Sequence, residues 1–135
     1  GYTDPLILAP DDGAAPFASM VAAVGNWDCD HLEKTRISGD EVRIEPKHLC
    51  AGGREVVIVD DIISTGGTLA TAAGLLSAQG AREVAAACVH GVFAGGAYAR
   101  LVASGVQEVA ASDTIEQACS VYSAAGTVAS RLRGC

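Results

Sequence analysis

The segment of this sequence that is best suited to chemistry consists of two adjacent acids followed by small hydroxyl residues and glycines. It reads DDIISTGGT from Asp60 to Thr68 and follows the apolar run VVIV at 56–59. Glycine amides at the start of a helix form an anion site, and glycine lets the backbone approach a ligand closely. Paired carboxylates accept hydrogen bonds from sugar hydroxyls or hold magnesium through water. The combination predicts a site for a phosphorylated sugar.

The residues of this segment divide into two groups by their chemistry. We expect Asp60 and Asp61 to contact the sugar, and we call residues 64–68 the phosphate loop. The loop would hold the phosphate through the amides and hydroxyls of Ser64, Thr65, Gly66, Gly67 and Thr68. The alternative interpretation is an ordinary strand-to-helix turn with capping hydroxyls and two solvated acids. No lysine follows the glycines, so the segment is not a Walker A loop, and it lacks the dinucleotide pattern GxGxxG.

Two shorter segments could add charge to the same site. The sequence APDDG at 9–13 places acids and a glycine after an apolar run, which suits a metal and phosphate site; a polar turn is the alternative. The sequence LEKTRIS at 32–38 places Lys34 two residues before Arg36. Two cations in a mobile loop can stabilise a transferring phosphoryl group, whereas the alternative interpretation is a solvated charged hairpin.

The elements that must position these segments alternate between strand and helix. Apolar runs and helical spacing predict strands at 6–9, 30–33, 42–44, 56–59, 84–89 and 106–110, and helices at 16–25, 69–76, 97–104 and 123–133. Such alternation is typical of a parallel sheet covered on both faces, with all strand-to-helix loops at one edge. The sequence therefore predicts one α/β domain over residues 1–135, a three-layer sandwich with a mainly parallel central sheet.

Composition limits the class of protein. The chain has 135 residues, half of them apolar, which is enough for one domain with a core and excludes a disordered tail. No apolar run approaches a membrane span, and no export signal is visible, so we expect a soluble cytoplasmic protein. Sixteen acids against nine bases give a net charge of -7, which argues against nucleic-acid binding.

The remaining reactive side chains form no recognisable cluster. The five cysteines contain no CxxC pair, so we expect most of them to be small buried residues. His31 and His48 are expected to lie at the surface or to have nearby hydrogen-bond partners. His90 is expected to hydrogen-bond to backbone at a strand end, and the alternative is a place at the edge of the site. Val128 and Leu132 in the last helix either cover the core or pair subunits, and we expect a homo-oligomer.

The 60–68 segment resembles the 5-phosphoribosyl 1-diphosphate (PRPP) motif of type I phosphoribosyltransferases and of ribose-phosphate diphosphokinases, the PRPP synthases. In that family the acids contact the ribose hydroxyls and the loop binds the 5-phosphate. Residues 9–13 and 32–38 resemble the diphosphate-binding loop and the catalytic loop of PRPP synthases, especially archaeal ones. Residues 88–95 and 110–115 also resemble the later strand ends of the family. The resemblance implies a type I phosphoribosyltransferase-like fold.

This resemblance implies a ribose-phosphate diphosphokinase domain. Such a domain transfers the β,γ-diphosphoryl group of ATP to the anomeric hydroxyl of ribose 5-phosphate, which gives PRPP and AMP. It implies that Asp11 binds Mg²⁺ and lines the diphosphate site together with Asp12 and Gly13. It also implies that Lys34 and Arg36 are catalytic and stabilise the transferring group.

The resemblance departs from the family pattern in two respects. It covers only the C-terminal half of a typical PRPP synthase, and Ser64 stands where many bacterial and animal members carry Asp. A preceding domain supplies most of the ATP pocket in that family, so we expect the sugar-phosphate and diphosphate subsites here without the nucleotide subsite. Two alternatives stay open: a type I phosphoribosyltransferase that consumes PRPP with a base, and a non-catalytic ribose-phosphate-binding or regulatory subunit.

Overall fold

A central parallel sheet organises the computed structural model, which describes residues 1–39, 41–44 and 49–134. The strands are β1 (Leu6–Ala9), β2 (Cys29–His31), β3 (Lys34–Ser38), β4 (Glu41–Ile44), β5 (Glu55–Ile63), β6 (Glu83–Gly91), β7 (Glu108–Ser112) and β8 (Ser120–Tyr122). Six of them form the sheet in the order β2-β1-β5-β6-β7-β8, and every neighbouring pair is parallel. The predicted mainly parallel sheet is confirmed.

Helices cover the sheet from both sides. The four helices are α1 (Ala15–Gly25), α2 (Gly67–Ala78), α3 (Ala97–Ala103) and α4 (Ala125–Arg133), and the first three of them pack on the sheet. On one face Leu76 of α2 and Leu101 of α3 share an apolar cluster with Ile58. On the other face Ala18 of α1 packs with Val59. The three-layer α/β architecture is therefore confirmed. Among the described residues, no helix combines the length and apolar character needed to span a bilayer.

The strand β5 is longer than the sequence predicts. The expected strand ended at residue 59, but the ladder with β6 continues through Ile62 and Ile63, which pair with His90 and Gly91. Ile63 is also buried, so packing and pairing together extend the strand across two acids that disfavour strand formation. The acids at 60 and 61 consequently lie in the last part of a strand and not in the loop after it.

The fully buried residues of the first helix are small. Of its large apolar residues, Phe17 and Val21 pack partly buried against the core, whereas Met20 and Val24 are exposed, Val24 by 91%. The buried residues are Ala18 and Ala22, which lie four positions apart on one side of the helix. Small side chains at these two positions let the helix lie close to the sheet.

The last helix does not cover the core. No residue of α4 is buried. Leu132 is 71% exposed, and Val128 is also exposed. The interpretation that this helix completes the core is therefore wrong.

The cysteines also differ from the expectation. Cys88 and Cys119 are buried as expected, whereas Cys29 and Cys50 are exposed, and these four are free thiols. Cys135 and His48 lie outside the described residues.

The segment at 32–38 forms a strand pair and not an open loop. β3 and β4 are antiparallel neighbours in a separate two-stranded sheet, with Arg36 opposite Val42. The backbone amide of Leu32 donates to the carbonyl of Ala9 at 3.0 Å, and the Leu32 side chain is fully buried. This anchor holds the base of the hairpin beside the carboxyl end of β1.

Candidate functional site

The carboxyl ends of β1 and β5 border one polar cavity of about 200 Å³. Its lining comes from all three segments that the sequence singled out: Asp11, Lys34, Asp60, Ile62, Ile63, Ser64, Thr65, Gly66, Gly67, Thr68 and Leu69. Neighbouring parallel strands present their carboxyl ends at the same edge, where ligands of open α/β sheets bind. A larger cavity of about 230 Å³ lies on the α1 face, but it is lined mostly by valines and alanines.

The phosphate loop turns directly into a helix. Residues 64–66 form the bend, and α2 begins at Gly67, so Gly67 and Thr68 belong to its first turn. Gly66 precedes the helix with φ +72°, and no side chain caps the helix start. The first amides of a helix have no partner within the helix, and its dipole favours an anion there. The loop can therefore donate several main-chain hydrogen bonds to one phosphate group.

Close packing against α3 explains why the loop has glycine at position 66. A Cβ atom at Gly66 would lie 3.3 Å from the Cβ atom of Ala97 and 3.5 Å from Cγ of Leu101. Its left-handed φ is also a conformation that β-branched side chains rarely adopt. Both the backbone angle and the limited space therefore favour glycine at this point.

The two adjacent acids have different surroundings. Asp60 is half-buried and lines the cavity, whereas Asp61 is exposed and is absent from the lining. Partial burial, together with the neighbouring carboxylates of Asp61 and Asp11, raises the pKa of Asp60 to about 7. The Asp61 amide donates to Oδ1 of Asp60 at 2.9 Å and opposes this shift. A bound cation or a hydrogen-bond donor would relieve the repulsion among these acids.

The raised pKa of Asp60 predicts a pH-dependent stability. Because the folded pKa lies near 7 and the ordinary value is 3.8, the native state holds this proton more tightly than the unfolded state. The Asp60 contribution to the free energy of unfolding is thus present below about pH 4 and is lost as pH rises toward 7. Asp60→Asn should be neutral at pH 4 and stabilising by about 1–2 kcal/mol at pH 8, after discounting for solvent screening.

Denaturant unfolding of the ligand-free protein at pH 4 and pH 8 measures this difference. Glu116→Gln is the control, because Glu116 is exposed and the change removes the same charge. An Asp60→Asn variant that is no more stable than the wild type at pH 8 would contradict the assignment.

Asp11 is held in place by contacts to both of its oxygen atoms. Oδ1 accepts from the amide of Ala14 at 3.1 Å and caps the short 3-10 helix Asp12–Ala14. Oδ2 lies 3.9 Å from Nζ of Lys34, so the hairpin lysine reaches the strand-end acid. A Cβ atom at Gly13 would lie 3.2 Å from Oδ1 of Asp11, so any side chain at position 13 would crowd this carboxylate.

Four predicted site residues lie outside the cavity lining, namely Asp12, Gly13, Arg36 and Asp61. Asp12 instead faces His31, with 3.4 Å between its Oδ1 and the imidazole Nε2. Arg36 is exposed on β3, two residues beyond the lining residue Lys34. The structure thus brings together one acid from each strand end, one lysine and the phosphate loop.

Two carboxylates of the cavity could take part in holding a divalent cation together with a phosphorylated ligand. Among the described residues, no three His, Cys, Asp or Glu side chains lie close enough together to hold a metal by themselves. Mg²⁺ ordinarily uses one or two carboxylates and takes its other ligands from phosphate oxygens and water. Asp11 and Asp60, which both line the cavity, are the carboxylates available for this arrangement.

A polar network beyond β6 was missed by the sequence analysis. Nδ1 of His90 lies 2.8 Å from Oγ1 of Thr114, so the expected bond of His90 to backbone is corrected to a side-chain partner. The fully buried Ser112 donates to the carbonyl of Val89 at 2.6 Å and lies 3.0 Å from Thr114. This network ties the end of β6 to the loop after β7.

The parallel α/β sheet carries, at the carboxyl ends of β1 and β5, a polar cavity with acids and a small-residue loop that opens a helix. The model of the phosphoribosyl transferase domain matches residues 1–124, and the chain belongs to that family. This result confirms the family resemblance that the 60–68 segment indicates.

The relatives found by sequence and by structure agree with this family. The ribose-phosphate pyrophosphokinase of Methanosarcina acetivorans is 47% identical over 98% of this chain and 47% of its own length. That of Methanosarcina mazei is 46% identical over 99% of this chain and 45% of its own. The crystal structure of a phosphoribosylpyrophosphate synthetase from Mycobacterium smegmatis superimposes with a TM-score of 0.75 at 28% identity, over 98% of this chain and 45% of that one. The chain spans about half the length of the curated relatives that it matches.

Proposed function

We propose that this chain is the ribose 5-phosphate- and diphosphate-binding part of a ribose-phosphate diphosphokinase. The reaction transfers the β,γ-diphosphoryl group of ATP to the anomeric hydroxyl of ribose 5-phosphate and gives PRPP and AMP. The observation that carries this proposal is the single cavity that combines the phosphate loop with Asp11, Asp60 and Lys34. The likeness of nearly the whole chain to archaeal ribose-phosphate pyrophosphokinases supports it.

The sugar phosphate is held by the phosphate loop and by Asp60 in this proposal. The amides and hydroxyls of the phosphate loop hold the 5-phosphate, because the start of α2 offers uncapped donors to an anion. Asp60 accepts hydrogen bonds from the ribose hydroxyls within the cavity, and Asp61 assists from its exposed position. A bound sugar thereby presents its anomeric hydroxyl toward the end of β1.

The diphosphoryl group is received at the end of β1. Asp11, Asp12 and Gly13 form its site, and Mg²⁺ held through Asp11 would neutralise charge on the phosphate oxygens. The anomeric hydroxyl loses its proton as its oxygen attacks the β-phosphorus, the bond from that phosphorus to the oxygen of AMP breaks, and AMP leaves with the bonding electron pair. Lys34 and Arg36 stabilise the charge that develops on the transferring group.

An assay of the protein that carries this chain separates the proposed reaction from its alternatives. With ATP, ribose 5-phosphate and Mg²⁺, we expect AMP and PRPP to form in equal amounts. Release of diphosphate from PRPP that depends on an added nucleobase would instead favour a phosphoribosyltransferase. Binding of ribose 5-phosphate without any AMP formation would favour a regulatory subunit and would overturn the proposed activity.

The proposal also includes a cytoplasmic location and a homo-oligomeric state. Exposure of the apolar residues Val128 and Leu132 supports subunit pairing through α4, since this helix buries none of its own side chains. Size-exclusion chromatography with light scattering tests the oligomeric state directly.

A further inference from the structure

Arg100 joins two loops beside the candidate site without lining the cavity. Its Nη1 donates to the carbonyl of Thr65 in the phosphate loop. Its Nη2 donates to the carbonyl of Gly95, in the segment after β6, at 3.2 Å. The guanidinium therefore bridges the backbones that follow two neighbouring strands, and it lies outside the set of residues that face the ligand space.

The helix α3, which carries Arg100, also packs against the phosphate loop. Ala97 and Leu101 of α3 are fully buried, and they lie against Gly66 of the phosphate loop. Positions 97, 100 and 101 share one side of a helix, because residues three and four apart are neighbours on its surface. α3 thus supplies an apolar surface on which the phosphate loop packs and, at the edge of that surface, a charged hydrogen-bond donor.

The bond from Arg100 fixes the direction of one peptide unit. In a planar trans peptide, the carbonyl of one residue and the amide of the next point in opposite directions. The Thr65 carbonyl is held toward Arg100, which is outside the cavity lining, so the Gly66 amide is directed to the opposite side of the loop. If this peptide rotated, a carbonyl oxygen would face the bound phosphate and repel it.

We propose that Arg100 is a positioning residue for phosphate binding. It holds the Thr65–Gly66 peptide so that the loop presents donors to the anion before the ligand arrives. Pre-organisation of this kind strengthens binding because less conformational freedom is lost when the ligand binds. The inference rests on the proposed function, since it takes the ligand of the phosphate loop to be ribose 5-phosphate.

Titration calorimetry with ribose 5-phosphate tests this inference on the wild type, Arg100→Gln, Arg100→Lys and Arg82→Gln. Arg82 is the matched control, an exposed arginine paired with Glu55 at the opposite end of β5. We expect Arg100→Gln to weaken binding about tenfold, the scale of one lost charge-assisted hydrogen bond, and Arg82→Gln to leave it unchanged. Arg100→Lys should recover less than half of the loss, because an ammonium lacks the planar fork that bridges two carbonyls.

Amide hydrogen exchange of the ligand-free protein gives a second measurement, because exchange rates would not change if Arg100 acted only through its charge. Faster exchange at Ala70, whose amide donates to the carbonyl of Gly66 at 2.9 Å, is the expected result for Arg100→Gln, with exchange in the remainder of α2 unchanged. If Arg100→Lys binds as tightly as the wild type, the guanidinium acts only through its charge and the positioning role is overturned. Unchanged affinity in Arg100→Gln also overturns it. Failure of the wild type to bind ribose 5-phosphate would instead overturn the proposed function, so the two failures are distinguishable.

Discussion

Replacing Lys34 by alanine is expected to lower turnover about 100- to 1,000-fold while weakening ribose 5-phosphate binding less than about threefold. Lys34 lines the cavity, and its Nζ lies 3.9 Å from Oδ2 of Asp11, on the side where the diphosphoryl group is proposed to bind. At this position the ammonium faces the transferring group and not the sugar, so it stabilises the charge redistributed in the transition state more than it strengthens binding of ribose 5-phosphate. The expected loss is therefore in kcat.

Steady-state kinetics of AMP formation and titration of ribose 5-phosphate together measure this separation. Arg43→Ala is the control, because Arg43 is an exposed cation of the same hairpin that does not line the cavity. Arg36→Ala should likewise lower kcat more than it weakens ribose 5-phosphate binding, if the exposed Arg36 reaches the transferring group when ligands bind. Equal losses in kcat and in affinity for Lys34→Ala would contradict a transition-state role.

Replacing Gly66 by valine is expected to weaken ribose 5-phosphate binding about 100-fold or more. The new side chain would be placed 3.3 Å from the Cβ atom of Ala97, in a backbone conformation with φ +72°. A β-branched residue in the left-handed region adds strain of about 1–3 kcal/mol, which the loop can release only by rotating away from α3. That movement misdirects the amides that would bind the phosphate.

The turn at Gly53 provides a matched control for this change. Gly53 has nearly the same φ, +71°, and a Cβ atom there would meet nothing within 4 Å. Gly53→Val should therefore lower the free energy of unfolding through the same backbone strain while leaving ribose 5-phosphate affinity unchanged. Calorimetric titration and denaturant unfolding of both variants measure the two effects. If both variants bind the sugar phosphate equally well, the account of the phosphate loop is wrong.

The parts of the site that depend on topology were predictable from the sequence. A buried strand followed by a small-residue loop and a helix places acids and amides at the carboxyl edge of a parallel sheet, whatever the details of packing. Asp11, Lys34, Asp60 and the phosphate loop consequently meet where the sequence places them. The difference between Asp60 and Asp61 follows from the two-residue period of a strand, but only once β5 is known to include both acids.

The parts that depend on packing between distant elements were not predictable. β5 continues past its acids because β6 pairs with it and Ile63 is buried, and strand propensity alone gives no sign of this. The contact of Arg100 with Thr65 requires knowledge of where α3 docks, 35 residues farther along the chain. β8 is three residues long and is held by its neighbour β7, so its local pattern is too short to stand out.

The structure of this protein with bound ribose 5-phosphate tests the central claim most directly. The account predicts that the phosphate lies at the start of α2, within hydrogen-bond distance of the amides of residues 66–68, with a sugar hydroxyl donating to Asp60. Occupancy of the apolar cavity beside Val57 and Ala85 at saturating ligand, with the phosphate loop left unchanged, would contradict it.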